Sequence, residues 1–346
     1  MKKFILSILV LSVIVFLPAC VKDKDEYIET GTITISRPDS VWEDEASAAP
    51  LPTGQAVSLS IEKLYSNLRK NVILSTITAE NGGTVTLNNE AFVDIPANAC
   101  VYANTNELCK GKVDIDFAVL KTKGDLINFD KPTISSGRLL ASGGVVYIGA
   151  KQGGREVKLA QNRKIRIRFK TEKIDKTMQL FEGKPTDRFK FDWVLMRDSS
   201  NQPINVSLWA DSVQSREPKG YDFPCDRFGW INCDKFNDDG SLTNKVAVTF
   251  TDVFYTNKNS SVYLVFKDVM SVLKLEGNTT LKQFDIPTGY KGIPIGSKVY
   301  VVSLSQVGEK SYLDIQDVNI AATNTIKVKQ QNPLTADEIA KKLSSL

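Results

Sequence analysis

The hexapeptide Lys164-Ile165-Arg166-Ile167-Arg168-Phe169 contains the clearest indication of the fold. Its charged and apolar residues alternate without interruption. Successive side chains of a β-strand point to opposite faces, so this stretch predicts a strand with one face in a core and the other in water. Val113-Asp114-Ile115-Asp116-Phe117 repeats the pattern earlier in the chain. These two stretches predict a mainly β protein.

Further strand-like stretches lie on both sides of this one, and turn-forming residues separate them at spacings typical of β-sandwiches. The predicted strands are 84–87, 92–95, 144–148 and 157–159, and then 246–250, 262–266, 298–302 and 325–328. Between the two groups, residues 178–240 are rich in Phe, Tyr and Trp. We therefore predict two or more β-sandwich-like modules, with an aromatic-rich connecting region at 178–240.

The chain begins with the layout of a secretory signal. Lys2 and Lys3 precede an apolar run at 4–17, which is too short and too early for a mature spanning helix, although an uncleaved anchor is the alternative. The run ends in Leu17-Pro18-Ala19-Cys20, which resembles the lipobox of bacterial lipoproteins. That resemblance implies a signal peptide at 1–19 and acyl chains, such as palmitate, on Cys20. Two or three chains would hold the protein on a membrane, whereas one alone binds marginally.

A charged cluster follows the anchor directly and consists of Lys22, Asp23, Lys24, Asp25 and Glu26. The cluster resembles the export signal of Bacteroidota-type lipoproteins. That resemblance implies an outer-membrane lipoprotein that faces the cell surface. An ordinary solvated tether is the alternative. Residues 20–53 are polar and interrupted by prolines, so we expect a flexible tether there.

Gly82-Gly83-Thr84-Val85-Thr86-Leu87, followed by Val-Asp-Ile-Pro-Ala-Asn-Ala at 93–99, resembles the opening of ZU5-like β-sandwich domains. The resemblance extends over residues 79–170 and implies a fold that other proteins use for protein–protein contact. Some ZU5 proteins cleave themselves at a His-Phe-Ser segment, but this chain has no histidine, so that activity is not carried over. We assign 54–177 to a ZU5-like β-sandwich and 241–330 to a second sandwich-like module.

The C-terminal residues 331–346 are predicted to form a helix. Thr335 and Glu338 have the spacing of a capping box at its start. Apolar residues then follow at helical spacing: Ile339, Leu343 and Leu346. Near the other end of the chain, residues 57–70 allow either a short helix or a strand.

Four cysteines remain besides Cys20, and an even number in an exported chain indicates disulfides. Their spacing favours a Cys100–Cys109 bond and a Cys225–Cys233 bond. A four-thiolate zinc site is the alternative, but such sites usually use CxxC pairs, and neither pair has that spacing.

The absence of histidine limits the possible chemistry. It excludes Ser-His-Asp and Cys-His nucleophiles, imidazole metal ligands and histidine pH switches. Carboxylate chemistry such as glycoside hydrolysis stays open, but with 40 Asp and Glu residues pairs arise by chance. The net charge of +4 is spread without a basic block, so nucleic acid is not expected as a partner. We expect no enzyme activity, no cofactor and no metal.

The most unusual stretch is 224–236, which combines aromatic, amide and acidic residues beside two cysteines. Strand alternation would place Phe228, Trp230 and Asn232 on one face, with Arg227 and Ile231 on the other. Three interpretations stay open: Trp230 and Phe228 belong to a core, which we favour, or they contact a partner, or they form a sugar-binding platform. The following residues 237–241 (Asn-Asp-Asp-Gly-Ser) fit a hairpin turn better than a calcium loop.

These observations predict a non-catalytic, surface-exposed lipoprotein that acts by binding. We expect its lipid to hold it on the membrane and its partner to be another outer-membrane protein in an assembly. The alternative is an accessory lipoprotein that captures or degrades glycans, with a polysaccharide as the partner.

Overall fold

The computed structural model of the protein describes residues 61–70, 72–185, 191–210, 218–237 and 240–346. Strands dominate these residues, as the sequence predicts. The helices are α1 (Ile61–Leu68), α2 (Lys123–Asn128) and α3 (Ala336–Leu343). The first fourteen strands are β1 (Ile73–Thr78), β2 (Gly83–Leu87), β3 (Ala91–Ile95), β4 (Cys100–Tyr102), β5 (Lys112–Leu120), β6 (Ile134–Ser135), β7 (Arg138–Gln152), β8 (Arg155–Leu159), β9 (Ile165–Lys170), β10 (Gln179–Lys184), β11 (Asp192–Leu195), β12 (Ser207–Trp209), β13 (Gly220–Cys225) and β14 (Gly229–Phe236). The remaining strands are β15 (Leu242–Thr243), β16 (Val246–Phe250), β17 (Ser260–Phe266), β18 (Val272–Lys274), β19 (Glu276–Asn278), β20 (Gln283–Asp285), β21 (Ile293–Pro294), β22 (Lys298–Val307), β23 (Lys310–Asn319) and β24 (Asn324–Val328).

The first sandwich consists of two sheets that enclose a buried core. One sheet has the order β1-β5-β7-β14-β10-β11 and also includes β4, β6 and β8, and the other has the order β12-β13-β9-β3-β2. Ile167 and Phe169 of β9 lie in the core between the sheets, while Arg166 and Arg168 face outward. The alternation at 164–169 therefore follows from the position of these residues in a half-buried strand.

The aromatic-rich region at 178–240 is part of this first sandwich. β14 pairs with β7 and β10, and β13 pairs with β9. Strands from the region thus enter both sheets, which corrects the expectation of a connecting region. Its aromatic residues are abundant because they fill the cores on either side of these strands, as Phe181, Trp193 and Phe223 do.

The second sandwich pairs two four-stranded sheets, as the alternating stretches after residue 240 predict. Their orders are β19-β20-β16-β24 and β18-β17-β22-β23. Val248, Leu264, Val301 and Ile326 lie in the apolar core between them. Most neighbouring strands are antiparallel, but β16 and β24 are parallel.

A further apolar layer joins the two sandwiches. Val145 and Phe181 of the nine-stranded sheet and Val265 and Val302 of the second sandwich belong to the same buried cluster. The helices complete this layer with Leu64, Leu126, Ile339 and Leu343. β17 is consequently buried at every position, because its two faces contact different cores.

The sequence left the first of the two terminal helices of the described chain undecided and predicted the second. The undecided stretch near residue 60 forms helix α1. The C-terminal helix is confirmed, and Thr335 and Glu338 form the predicted capping box. Among the described residues, no helix has the length and apolar character needed to cross a membrane.

Candidate functional site

The turn between β13 and β14 separates Phe228 from Trp230. Phe228 packs against the core of the first sandwich, whereas Trp230 packs in the layer between the sandwiches. The prediction that the two rings share a face is therefore wrong. Strand alternation begins only at Gly229, whose φ of +114° turns the backbone just before β14.

Asn232 was predicted to lie beside Trp230 as a contact residue, but it is fully buried. Its side-chain oxygen accepts a hydrogen bond from the Ser142 hydroxyl at 3.1 Å, and its amide nitrogen donates to Asp234. Both of its polar atoms are thus used inside the protein, so Asn232 cannot contact a partner. This corrects the prediction.

A cleft of about 340 Å³ opens beside the same turn. Its residues come from β7, β8 and the turn: Tyr147, Ile148, Gly149, Ala150, Glu156, Val157, Lys158, Leu159, Asp226, Arg227, Phe228 and Gly229. β14 pairs with β7 as far as Ile148, and β8 pairs with β7 only from Lys151. The backbone of Gly149 and Ala150 therefore borders the cleft between two strand partners.

Charged side chains of both signs line the cleft. Arg227 forms ion pairs with Glu182 at 2.7 Å and with Asp226 at 2.8 Å. The hydrogen bond from Arg227 lowers the pKa of Asp226. Burial alone would raise the pKa of Glu182, but hydrogen bonds from Lys184 and Arg227 bring it below its ordinary value. Arg227 is thus held in a fixed position, whereas Glu156 and Lys158 are exposed at the cleft.

An aromatic group adjoins the cleft through Tyr147. The ring centroids of Tyr147 and Trp230 are 4.6 Å apart, and Phe129 contacts Trp230 edge-on at 5.9 Å. The Lys131 amine lies 4.9 Å from the Trp230 ring centroid and 4.4 Å from that of Phe191. Trp230 is therefore half-buried, with a lysine and an aromatic cluster around it, and is not an isolated exposed ring.

The end of helix α2 fixes the position of Lys131. The Lys131 backbone N–H donates to the Leu126 carbonyl at 2.8 Å, and the Asp130 N–H donates to the Ile127 carbonyl at 2.9 Å. These two bonds form a Schellman motif, which requires a left-handed residue after the helix. Asp130 takes that place with a φ of +52°.

Burial favours the neutral form of the Lys131 amine. Burial, together with the neighbouring cations Arg69 and Lys274, lowers the pKa of Lys131 to about 8, although Asp130 opposes the shift. The ring faces of Phe191 and Trp230 favour the charged form of Lys131, so they also oppose the lowering of its pKa. The Asp130 carboxylate accepts from Tyr263 at 2.6 Å and from Lys274 at 2.8 Å. Its strongest contacts are thus with residues other than Lys131.

The structure contains Cys100, Cys109, Cys225 and Cys233 as free, buried thiols, which corrects the prediction of two disulfides. Cys225 pairs with Ile165 in one sheet and Cys233 pairs with Leu180 in the other, so their spacing does not produce a stapled hairpin. Cys100 and Cys109 are neighbours, because the Cys109 N–H donates to the Cys100 carbonyl at 3.0 Å. Burial raises the pKa of Cys100 and of Cys225 to about 11.

The remaining predicted sites are only partly within the structure. Cys20 and the charged cluster Lys22, Asp23, Lys24, Asp25 and Glu26 lie outside the described residues. So do Asp238 and Asp239 of the suggested turn, and the flanking strands β14 and β15 pair with other strands rather than with each other. Within the described parts of the chain, no three His, Cys, Asp or Glu residues are grouped to hold a metal ion.

The fold and the cleft define a protein of two stacked β-sandwiches with a small, mixed-charge cleft on the first of them. No protein-family model matches the chain, and no curated protein matches it in sequence.

Proposed function

We propose that the protein is a non-catalytic, lipid-anchored binding component of an outer-membrane protein complex. The cleft at the β13–β14 turn is the observation that supports the proposal. It combines apolar side chains, charged groups of both signs and a short length of β7 backbone that pairs with β5 on one side but with neither β14 nor β8 on the other. An extended segment of a partner protein is the ligand that fits these three features together.

The backbone of β7 explains why an extended polypeptide suits the cleft. A peptide that adds to a sheet gains main-chain hydrogen bonds, while pockets beside it select its side chains. Backbone hydrogen-bonding groups alternate sides along a strand and β5 takes those of one side, so one of Gly149 and Ala150 could supply such bonds, while the apolar side chains of Val157 and Leu159 line the cleft. Glu156 and Lys158 then provide charge complementarity, which affects specificity and association rate more than affinity.

Co-purification from membranes in mild detergent tests this role of the cleft. Lys158→Glu reverses an exposed charge on β8 in the cleft, and Lys327→Glu makes the same change on β24, an exposed position of the second sandwich. Surface changes of this kind alter stability by less than about 0.5 kcal/mol. We expect the first variant to retain at least tenfold less partner and the second to behave as wild type. Equal recovery with both variants would contradict the role of the cleft.

The proposed lipid attachment and surface export need separate experiments, since the residues concerned lie outside the described residues. Cys20→Ala should release the protein from washed membranes, because acylation at this residue is the proposed attachment. Replacing Lys22, Asp23, Lys24, Asp25 and Glu26 by alanine should keep the lipid but protect the protein from protease added to intact cells. Unchanged cleavage of that variant would contradict surface export.

Glycan binding is the second candidate, and the composition of the cleft supports it. The rings of Tyr147 and Phe228 both line the cleft, together with the carboxylates of Glu156 and Asp226. Aromatic faces and acidic acceptors are a combination that suits sugars. Retention of the purified protein on a polysaccharide resin, lost in Asp226→Ala, would favour a glycan over a polypeptide.

A further inference from the structure

One end of the second sandwich carries three exposed apolar side chains on its connecting segments. Val253 is 75% exposed, Leu281 is 61% exposed and Phe254 is 41% exposed. Val253 and Phe254 lie in the loop between β16 and β17, and Leu281 lies in the turn between β19 and β20. They are three of the six large apolar side chains that are exposed among the described residues. A group of exposed apolar side chains marks an interaction site, whereas single ones need no explanation.

Strand pairing places the loop and the turn at the same end of the sandwich. β16 runs towards the loop, and β20 is antiparallel to β16, with Phe284 opposite Val248. The turn that precedes β20 therefore lies at the end of β16 where the loop begins. Asn257 of the loop also packs on β19, because a Cβ at Gly277 would lie 2.4 Å from the Cβ of Asn257. We call this end, with Val253, Phe254 and Leu281, the apolar end.

The chain from the proposed lipid anchor enters the described structure at the apolar end. The Ile61 N–H, at the start of α1, donates to the Lys258 carbonyl of the loop at 3.3 Å. The side-chain amide of Asn259, the next residue, donates to the Phe254 carbonyl at 2.8 Å. Residues 20–60 connect the proposed lipid to this point. The apolar end is therefore close to the place where the folded chain is joined to its anchor.

Lysines lie on several sides of the apolar end. Lys258 belongs to the loop, and the exposed Lys282 directly follows Leu281. The exposed Lys329 follows β24, whose last residue is bonded to the loop, since the Thr251 N–H donates to the Val328 carbonyl at 2.9 Å. Binding to a membrane surface increases with the apolar area buried and with the attraction of basic residues to anionic lipids. Both contributions are present at this end.

The carboxylates near the apolar end are used inside the protein. Asp252 accepts a hydrogen bond from the Phe254 N–H at 2.9 Å and so shapes the loop. Asp285 of β20 accepts hydrogen bonds from side chains of the same hairpin. Glu309, in the turn between β22 and β23, forms an ion pair of 2.6 Å with Lys63 of α1. These contacts offset part of the negative charge that would repel an anionic surface.

We propose that the apolar end docks on the bilayer that holds the lipid anchor, with Val253, Phe254 and Leu281 inserted among anionic phospholipid headgroups. The neighbouring lysines then lie against the lipid phosphates. This inference rests on the proposed lipid attachment, because an anchored surface acts at a high effective concentration and needs little affinity of its own. Side chains in a loop and a turn at the end of a sandwich can enter a lipid surface without any rearrangement of the strands.

Quenching of a site-specific fluorophore by lipid tests the proposal on the full chain. Phe254→Cys and Leu281→Cys are each labelled with bimane and reconstituted into vesicles of phosphatidylethanolamine and phosphatidylglycerol with brominated acyl chains. Leu74→Cys is the matched control, at an 80% exposed position of β1 in the first sandwich. Peptide mapping verifies that only the introduced cysteine carries the label. We expect quenching at 254 and 281 to exceed that at 74 by about threefold or more. Equal quenching at the three positions would overturn the proposal.

A charge reversal tests the part of the lysines. Lys282→Glu should lower the quenching of the label at 254 by about half or more in the anionic vesicles, since one lysine near such a surface contributes about 1 kcal/mol. In vesicles of zwitterionic phosphatidylcholine the same variant should behave as its parent. Lys158→Glu, in the cleft of the first sandwich, should leave quenching unchanged in both. Unchanged quenching of the Lys282→Glu protein in anionic vesicles would contradict the attraction to anionic lipid.

Mass spectrometry of Cys20 separates this inference from the proposed anchor. An acylated protein whose labels at 254 and 281 stay unquenched would keep the anchor and refute the docking. A protein without acyl chains on Cys20 would contradict the anchor, and the docking would then stand only if vesicle lipid still quenches both labels. Protection of the label at 254 in native membranes, but not in vesicles of lipid alone, would indicate a protein partner at the apolar end and would also overturn the proposal.

Discussion

Lys274 of β18 and Asp130, which follows helix α2, form an ion pair of 2.8 Å across the layer between the two sandwiches. Tyr263 donates to the same carboxylate, and its hydroxyl also contacts that of Tyr65 on α1. The hydrogen bonds among these four side chains offset the free-energy cost of burying their polar groups. The apolar side chains of this layer hold the sandwiches together, and the four hydrogen-bonded polar side chains connect α1, α2 and the second sandwich at defined positions.

The first prediction concerns Asp130→Asn. The substitution leaves Lys274 without its carboxylate, so we expect a loss of about 1–3 kcal/mol in the free energy of unfolding at pH 7. Burial alone would raise the pKa of Asp130, but Lys274 lowers it below the ordinary value of about 4. The stabilisation by the ion pair is therefore present above that value and is lost as the pH falls through the lowered pKa. Urea unfolding of wild type and variant at pH 7 and at low pH measures the difference.

Asp130→Gly is the matched control for this substitution. Glycine adopts the left-handed conformation more readily than Asp, so it relieves backbone strain while it also removes the carboxylate. Asp130→Gly should accordingly be less destabilising than Asp130→Ala. A larger loss for glycine would contradict the importance of the Schellman motif.

The second prediction compares two tryptophans of the same layer. Trp193 is fully buried and its indole N–H donates to the Pro132 carbonyl at 2.8 Å. Trp193→Ala should cost about 3–5 kcal/mol, the usual loss for a large buried aromatic. Trp230 is half-buried, so Trp230→Ala should cost roughly half as much. Chemical denaturation of both variants gives the two values, and an unchanged midpoint for Trp230→Ala would show that its contacts with Tyr147 and Phe129 contribute little.

The third prediction concerns the buried carboxyl of Asp234. Burial raises its pKa well above the ordinary value, although the hydrogen bond from the Asn232 amide opposes the shift. The folded protein therefore keeps a proton that the unfolded chain releases above about pH 4, and stability falls as the pH rises from there towards the raised pKa. Asp234→Asn removes this titration. We expect the variant to be more stable than the wild type at pH 8, by a margin that grows as the pH rises from 5.

Thermal unfolding between pH 5 and pH 8 provides the measurement for Asp234. The wild-type transition temperature should fall with increasing pH by more than that of Asp234→Asn. Asp234 Oδ1 has no hydrogen-bond partner among the described residues, so the new amide loses no existing bond at that position. Parallel pH profiles for the two proteins would show that Asp234 is not the group responsible.

The fourth prediction concerns the thiols. Cys100, Cys109, Cys225 and Cys233 are buried, and burial raises the pKa values of all four. A thiol-specific disulfide reagent should therefore react slowly with the native protein and quickly with all four after denaturation, because the thiolate is the reactive form. Oxidation should link Cys100 of β4 to Cys109, because the backbone hydrogen bond between them makes the two residues neighbours. A Cys225–Cys233 peptide in a non-reducing map would contradict the structure and restore the original prediction.

Much of the secondary structure could be predicted because it depends on local patterns. The alternation at 164–169 requires one apolar face, and the Thr335–Glu338 capping box requires only four consecutive residues. The continuous apolar run Val262-Tyr263-Leu264-Val265-Phe266 contained a further indication, since a strand without alternation is buried on both faces. That run, and Gly144-Val145-Val146-Tyr147-Ile148, could have predicted the layer between the sandwiches.

The candidate site was predicted less well, because it depends on contacts between distant parts of the chain. The sequence singled out the segment around Trp230, and the structure places that segment beside the cleft. The sequence did not indicate that Tyr147 of β7 and Lys131 at the end of α2 also lie near Trp230. Asn232 was wrongly predicted to be a contact residue because a sequence does not distinguish a buried, hydrogen-bonded asparagine from an exposed one.

Composition and short-range patterns specify the strands and helices, the mainly β class and the absence of histidine chemistry, since each depends on residue types or on residues a few positions apart. Only long-range packing specifies which strands share a sheet, that residues 178–240 complete the first sandwich, and that Lys131 lies between Phe191 and Trp230. These features depend on pairing and burial across long separations in the chain. Such contacts form when several apolar faces are removed from water together, and no single stretch of the sequence specifies them.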